Sequence, residues 1–215
     1  MSESTVDRPV VRSFKRRFAN EAAAWVRSGG HAVVWDSDRR AQLVFQEPSP
    51  GDDDDLGAWA VYDFGKSRWQ VHEGGEFDGL ASALVPPDCL WIVKRRAERD
   101  SMHEGPRHVV GLDCRTCAAC CVKNEVFLND ADIERFRRGG RDDLTMRPFM
   151  RRKKDGKVVL TLLEDGRCHH LASDNSCEIY ELRPDACSEF PMGSECCLYA
   201  REEELEQFDG VAPGG

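Results

Sequence analysis

The residues of this chain best suited to chemistry are its cysteines. Four stand within eight positions, Cys114-Arg-Thr-Cys117-Ala-Ala-Cys120-Cys121. A C-x2-C step lets one tight turn aim two sulfurs at a single metal while backbone N–H groups point at the thiolates. Without a cation, four thiolates this close repel one another and take up protons; a bound metal reverses that balance. Cys168, Cys177 and Cys187 follow, then the vicinal pair Cys196-Cys197, so nine of the ten cysteines lie between Cys114 and Cys197 and only Cys89 falls outside. Four buried apolar thiols in such a run would be four coincidences, and metal ligation is the simpler reading.

Spacing leaves the metal open. Zinc takes a closed tetrahedral set of four thiolates, so eight cysteines suffice for two sites. Iron–sulfur clusters also take four cysteines, but the ferredoxin run places its fourth three residues after its third and follows it with proline. Here Cys121 follows Cys120 at once. A vicinal pair points both side chains at one small ion with difficulty; it suits a larger cluster, two neighbouring metals, or one ligand beside one free thiol, and the first of these favours an iron–sulfur cluster ([4Fe–4S]) over zinc. His169 and His170 adjoin Cys168, and His169 is a further candidate ligand. His31, His72, His103 and His108 are scattered without paired spacing, and no phosphate loop, dinucleotide glycine fingerprint or nucleophile elbow occurs.

The downstream cysteines sit in a run of further signals: Cys168-His-His-Leu171, Cys177-Glu-Ile179-Tyr180, Arg183-Pro184-Asp-Ala-Cys187 and Phe190-Pro191. Together with the C-x2-C-x2-CC run, this order resembles the YkgJ-like cysteine-cluster family of zinc- or iron-chelating proteins, whose relatives include flagellin lysine methylases. The resemblance covers roughly Val109 to Pro191 and implies Cys114, Cys117, Cys120, Cys121, Cys168, Cys177 and Cys187 as metal ligands. Cys196 and Cys197 are additional to its pattern, and Ser188 stands where a basic residue is expected. Arg183 is placed to lower the charge of a thiolate centre or to form an ordinary salt bridge. Tyr180 and Phe190 are placed to wall the site from water. Redox or group transfer are the activity classes such relatives suggest. The chain offers no glycine-rich site for a methyl donor, so methyl transfer is not expected.

Composition narrows the classes. With 30 basic and 39 acidic residues the net charge is −9, which argues against a general nucleic-acid binder. No apolar stretch approaches the ~20 residues needed to span a bilayer. The first residues lack the apolar run of a secretory signal, so a cytoplasmic location is expected, where thiols stay reduced and disulfides are disfavoured.

The elements around the cysteines divide by composition. All five tryptophans, Trp25, Trp35, Trp59, Trp69 and Trp91, precede the cysteine cluster. The expected architecture is α+β. A small antiparallel-sheet module of unknown role covers residues 1–100, a linker 101–108, a metal-stabilised cysteine-cluster domain with short helices and a hairpin 109–200, and an acidic tail 201–215. Phe14 to Val26 shows helical spacing ended by Gly29-Gly30. Apolar runs at 31–35, 42–46, 59–64 and 69–72 suggest a meander, with a helix around 77–84 and a strand around 90–94 completing the module. Charged residues Arg95 to Arg107 read as linker, and residues 201–210 as a solvated tail helix. Asp52 to Asp55 lack the ligand spacing of a calcium loop. In the second module Asn129 caps a helix stopped by Gly139-Gly140, and Asp155-Gly156 turns a hairpin whose residues 151–157 are strongly basic. That hairpin and the Trp-rich module are the candidate surfaces for a protein or RNA partner in the alternative reading, a structural zinc module that serves as an interaction platform without catalysis.

Overall fold

The computed structural model describes residues 4–48, 69–190 and 192–207. In chain order its first elements are β1 (Ser4–Pro9), β2 (Val11–Lys15), α1 (Ala19–Arg27), β3 (His31–Ser37), β4 (Arg40–Gln46), β5 (Trp69–Val71), β6 (Leu80–Leu84), α2 (Leu90–Asp100) and β7 (Arg107–Leu112). They are followed by α3 (Cys114–Cys117), β8 (Phe127–Leu128), α4 (Asp130–Arg138), β9 (Met150–Arg152), β10 (Val158–Leu160), α5 (Asp185–Ser188) and α6 (Glu195–Leu205). The fold is α+β. Its described residues form two compact units: 4–112 with 193–202 and 206–207, and 113–192 with 203–205.

The first unit is built on a five-stranded sheet of order β2-β3-β4-β6-β5. β3 and β4 are buried on both faces, which explains their near-continuous apolar sequence. Val33, Leu43, Phe45, Ala81 and Ala83 pack on one face with Val93 and Ala97 of α2. Ala32, Val34, Val44 and Leu80 face the other way, against Ala19, Ala22, Ala23 and Val26 of α1. A separate antiparallel pair joins β1 to β7.

Several expectations change here. The segment read as one helix from Phe14 begins as β2, and the chain crosses through α1 to β3, which pairs parallel to β2; the other pairings of the sheet are antiparallel. Gly30 permits this crossover, because a Cβ there would lie 2.3 Å from the Trp25 indole nitrogen. That nitrogen donates to the Val10 carbonyl at 3.0 Å. Residues 80–84 form a strand, not a helix: Leu80, Ala81, Ser82 and Ala83 are all buried between the two helical layers, and burial outweighs the helix preference of alanine. Residues 90–94 open a helix, not a strand, because Ile92, Val93, Arg96 and Ala97 form a helical stripe against the sheet. The charges read as linker continue that helix, with Arg96, Arg99 and Asp100 fully buried in ion pairs. The tail helix begins earlier than expected and is anchored, with Glu195, Cys197 and Leu198 buried. The apolar run 59–64 and Asp52 to Asp55 lie outside the described residues.

His31 is fully buried against Phe45, their rings 5.8 Å apart. Burial, reinforced by Arg96 and Arg107, lowers its pKa to about 3. A folded-state pKa below the unfolded value of 6.5 means the unfolded chain binds the proton first. Stability is therefore complete above pH 6.5 and falls by up to about 1.4 kcal/mol per pH unit towards pH 3. Urea unfolding followed by tryptophan fluorescence, which reports this unit alone, is expected to show that acid slope shallower by nearly one proton in His31→Gln. An unchanged slope would remove His31 as its source.

The second unit is smaller. Its three short strands pair antiparallel in the order β8-β10-β9. Phe136, Leu144, Val158, Leu160, Leu128 and Ile179 form its core, with Cys168 and Cys177 packed against them. α4 starts at Asn129 as expected, in a reciprocal capping box with Asp132. The β9–β10 hairpin turns through Asp155-Gly156, where Gly156 takes φ +85°. Part of its charge is paired: Glu125 meets Arg151 at 3.3 Å and Lys153 at 2.7 Å.

Candidate metal centre

The CxxCxxCC run folds as two consecutive turns. Asp113 caps the first, its carboxylate accepting from the Arg115 N–H at 2.9 Å while its carbonyl accepts from the Cys117 N–H at 2.9 Å. Cys114 and Cys117 therefore sit one helical turn apart on α3. Ala118 adopts φ +57°, which ends that turn, and its carbonyl accepts from the Cys121 N–H at 2.8 Å to close a 3-10 turn carrying Cys120 and Cys121.

The downstream cysteines are stitched to this run through the backbone. The Cys168 N–H donates to the Cys121 carbonyl at 2.9 Å, and the Lys123 N–H to the Gly166 carbonyl at 2.8 Å. A bridge between Leu171 and Cys177 folds Cys177 back alongside, and Cys187 follows on α5.

Electrostatics show which thiols face one another. Burial first, then Cys120 and Cys117, raise the Cys114 thiol to about 11. Burial followed by Cys168, Cys120 and Cys177 pushes Cys187 up to about 12. Cys120 is raised chiefly by its hydrogen bond with Cys121 and then by burial. Burial also raises Cys168 and Cys177. Arg183 opposes four of these five shifts, acting on Cys114, Cys120, Cys177 and Cys187 but not on Cys168. Its guanidinium lies 3.7 Å from the Tyr180 ring centroid, and its Nε donates to the Tyr180 carbonyl at 3.0 Å. Among the described residues it makes no carboxylate ion pair, so the salt-bridge alternative is not the one adopted.

The donor set fits a thiophilic metal. Cys114, Cys120, Cys121, Cys168, Cys177 and Cys187 are not in disulfides. Their soft sulfurs, half-buried in all but the exposed Cys114, are ones that a cation would hold in the thiolate form. Among the described residues no three donors already stand in a ready metal-ligating arrangement. His169 and His170 pack on Phe149, with ring separations of 5.5 and 5.0 Å. Cys196 and Cys197 lie on α6, whose residues up to Glu202 belong to the first unit.

Residues 113–211 match the family model CxxCxxCC, described as a putative zinc- or iron-chelating domain. The cysteine module is a domain of this family. No curated protein and no solved structure matches the chain. The CxxCxxCC domain is a metal-binding one, and among the described residues no helix is long and apolar enough to cross a membrane. Sequence reading singled out its thiols and Arg183 but missed Asp132, Arg135 and Asp185. These hold the Arg183-to-Cys187 segment in place, and the capping-box spacing of Asn129 and Asp132 was their only signal.

Proposed function

We propose that Cys114, Cys117, Cys120, Cys121, Cys168, Cys177 and Cys187 hold an iron–sulfur cluster as thiolates, in a protein of reducing, cytosolic surroundings with redox or group-transfer activity. The observation carrying this reading is the backbone hydrogen bond from Cys168 to the Cys121 carbonyl, which joins two sequence-distant thiol sets; Cys168, Cys120 and Cys177 in turn raise the Cys187 thiol. Seven thiols exceed the needs of one tetrahedral ion, and the vicinal Cys120-Cys121 pair suits a polynuclear centre. A bound cluster supplies one-electron transfer. The chain withdraws the sulfurs from water and sets Arg183, fixed on Tyr180, as the positive charge beside an anionic centre.

A second reading is a structural zinc site. The small core of this unit favours it, since a metal would then supply much of the folding energy. The unit would serve as an interaction platform, offering a protein partner the 151–157 hairpin or the Trp-rich module.

Anaerobic purification with iron, zinc and acid-labile sulfide analysis tests both. Iron and sulfide in near-equal amounts are expected, falling by at least half in Cys117→Ser and Cys177→Ser. Zinc without sulfide would select the second reading. A folded wild type carrying neither metal would refute both.

A further inference from the structure

The Arg183-to-Cys187 segment is gripped by the first turn of α4 through a closed set of charged hydrogen bonds. Asp132, its side chain 1% exposed, accepts from the Asp185 backbone N–H at 2.9 Å and from Arg135 Nη1 at 3.0 Å through one oxygen. Its other oxygen accepts from the Asn129 N–H at 3.0 Å. Arg135 Nη1 also donates to the Arg183 carbonyl at 2.7 Å, while Nη2 pairs with the Asp185 carboxylate. Asn129 Nδ2 donates to the same carboxylate at 3.0 Å. Pro184 precedes α5, and its carbonyl accepts from the Cys187 N–H at 2.9 Å. The peptide leading into Cys187 is thus fixed on both sides of Pro184. A capping box needs only Asn129 and Asp132 to start a helix. The extra bonds from Asp132 and Arg135 go to residues about fifty positions away, which a helix start does not require.

We propose that Asp132, Arg135 and Asp185 form a latch that presents Cys187 and Arg183 to the metal centre, acting as positioning residues for both. The inference rests on the thiolate reading above. Geometry supplies the reason: Cys187 is carried on a single turn of helix, too short to hold its own direction. Arg183 has its peptide carbonyl held by Arg135 and its side chain held by Tyr180, so the latch fixes the counter-charge and the ligand together. Charge-assisted hydrogen bonds of this kind are about twice as strong as neutral ones, and six of them converge here.

Site-resolved alkylation tests the latch on the metal-loaded protein as purified, using iodoacetamide and peptide mass spectrometry. Arg135→Gln and Asp185→Ala are preferred to changes at buried Asp132, because both side chains are about one-third exposed and folding should survive. Each variant is expected to alkylate Cys187 about tenfold faster than wild type, with Cys114 and Cys117 still protected. The double variant should be no faster than either single, since both break one latch. Leu144→Ala, a core change outside the latch, is the control for general loosening. Wild-type rates at Cys187, or the same tenfold rise in Leu144→Ala, would overturn the latch and leave the thiolate reading standing. Wild-type cysteines that react equally fast before and after chelation would instead overturn the thiolate reading, and the latch with it.

Discussion

Stripping the metal with excess chelator under reducing conditions is expected to unfold residues 113–192 while the five-stranded sheet of the first unit stays intact. The asymmetry follows from the cores. Ten buried residues fill one face of the large sheet and nine the other, whereas the cysteine unit gathers six. Its strands are two or three residues long, and two of its helical segments are single turns. Such elements do not persist by themselves, and small domains of this kind are held by metals or disulfides. The metal contribution should be on the order of 10 kcal/mol, as for structural metal sites. Cys168 and Cys177 pack directly on the core, so releasing the metal restores their protons at the place where that core is thinnest. Hydrogen exchange reads the outcome. Amides of β8, β9 and β10 should lose protection on chelation while those of β3 and β4 keep it. Continued protection in β10 would mean that the unit folds without its metal.

The cysteine run was legible because the ligation proposed for it depends on residue type and close spacing. Cys114 to Cys121 announce themselves, and Cys168, Cys177 and Cys187 follow in a recognisable order. What spacing cannot convey is orientation: the ring of His169, a candidate ligand by its place beside Cys168, packs on Phe149. Local propensity misled wherever tertiary burial overrode it, as in Leu80 to Leu84, where alanines lie in a sheet covered on both faces. Charge misled in Arg95 to Asp100. A run of Arg and Glu reads as solvated, and only the positions of Arg8, Glu195 and Glu202 make burial of Arg96, Arg99 and Asp100 affordable. Those partners come from sequence positions roughly a hundred residues away on either side. The latch was hidden for the same reason, since its two halves are about fifty residues apart.

Glu195→Gln is expected to destabilise the first unit by about 3–5 kcal/mol. Glu195 is 1% exposed and receives Arg99 Nε at 3.2 Å, Arg99 Nη2 at 2.9 Å and Arg96 Nη1 at 3.5 Å. Arg96 also faces Asp100 at 3.4 Å, and Asp100 in turn accepts Arg8 at 2.6 Å and the Val11 N–H at 2.8 Å. Three buried arginines thus share two buried carboxylates, and the Glu202 carboxylate at the margin pairs with both Arg99 and the partly exposed Arg95. Glutamine matches the shape of glutamate but supplies no charge, leaving surplus positive charge in a region shielded from water. The loss is a large share of the 5–15 kcal/mol typical of a domain, whereas the exposed Asp36–Arg40 pair should yield no more than about 0.5 kcal/mol on Asp36→Asn. Urea unfolding by tryptophan fluorescence distinguishes the two, because every tryptophan precedes the cysteine run. A Glu195→Gln midpoint within error of wild type would mean that the arginines are compensated by other groups. The expected loss would instead make α6 a structural part of the first unit, although its sequence lies within the family-matched domain.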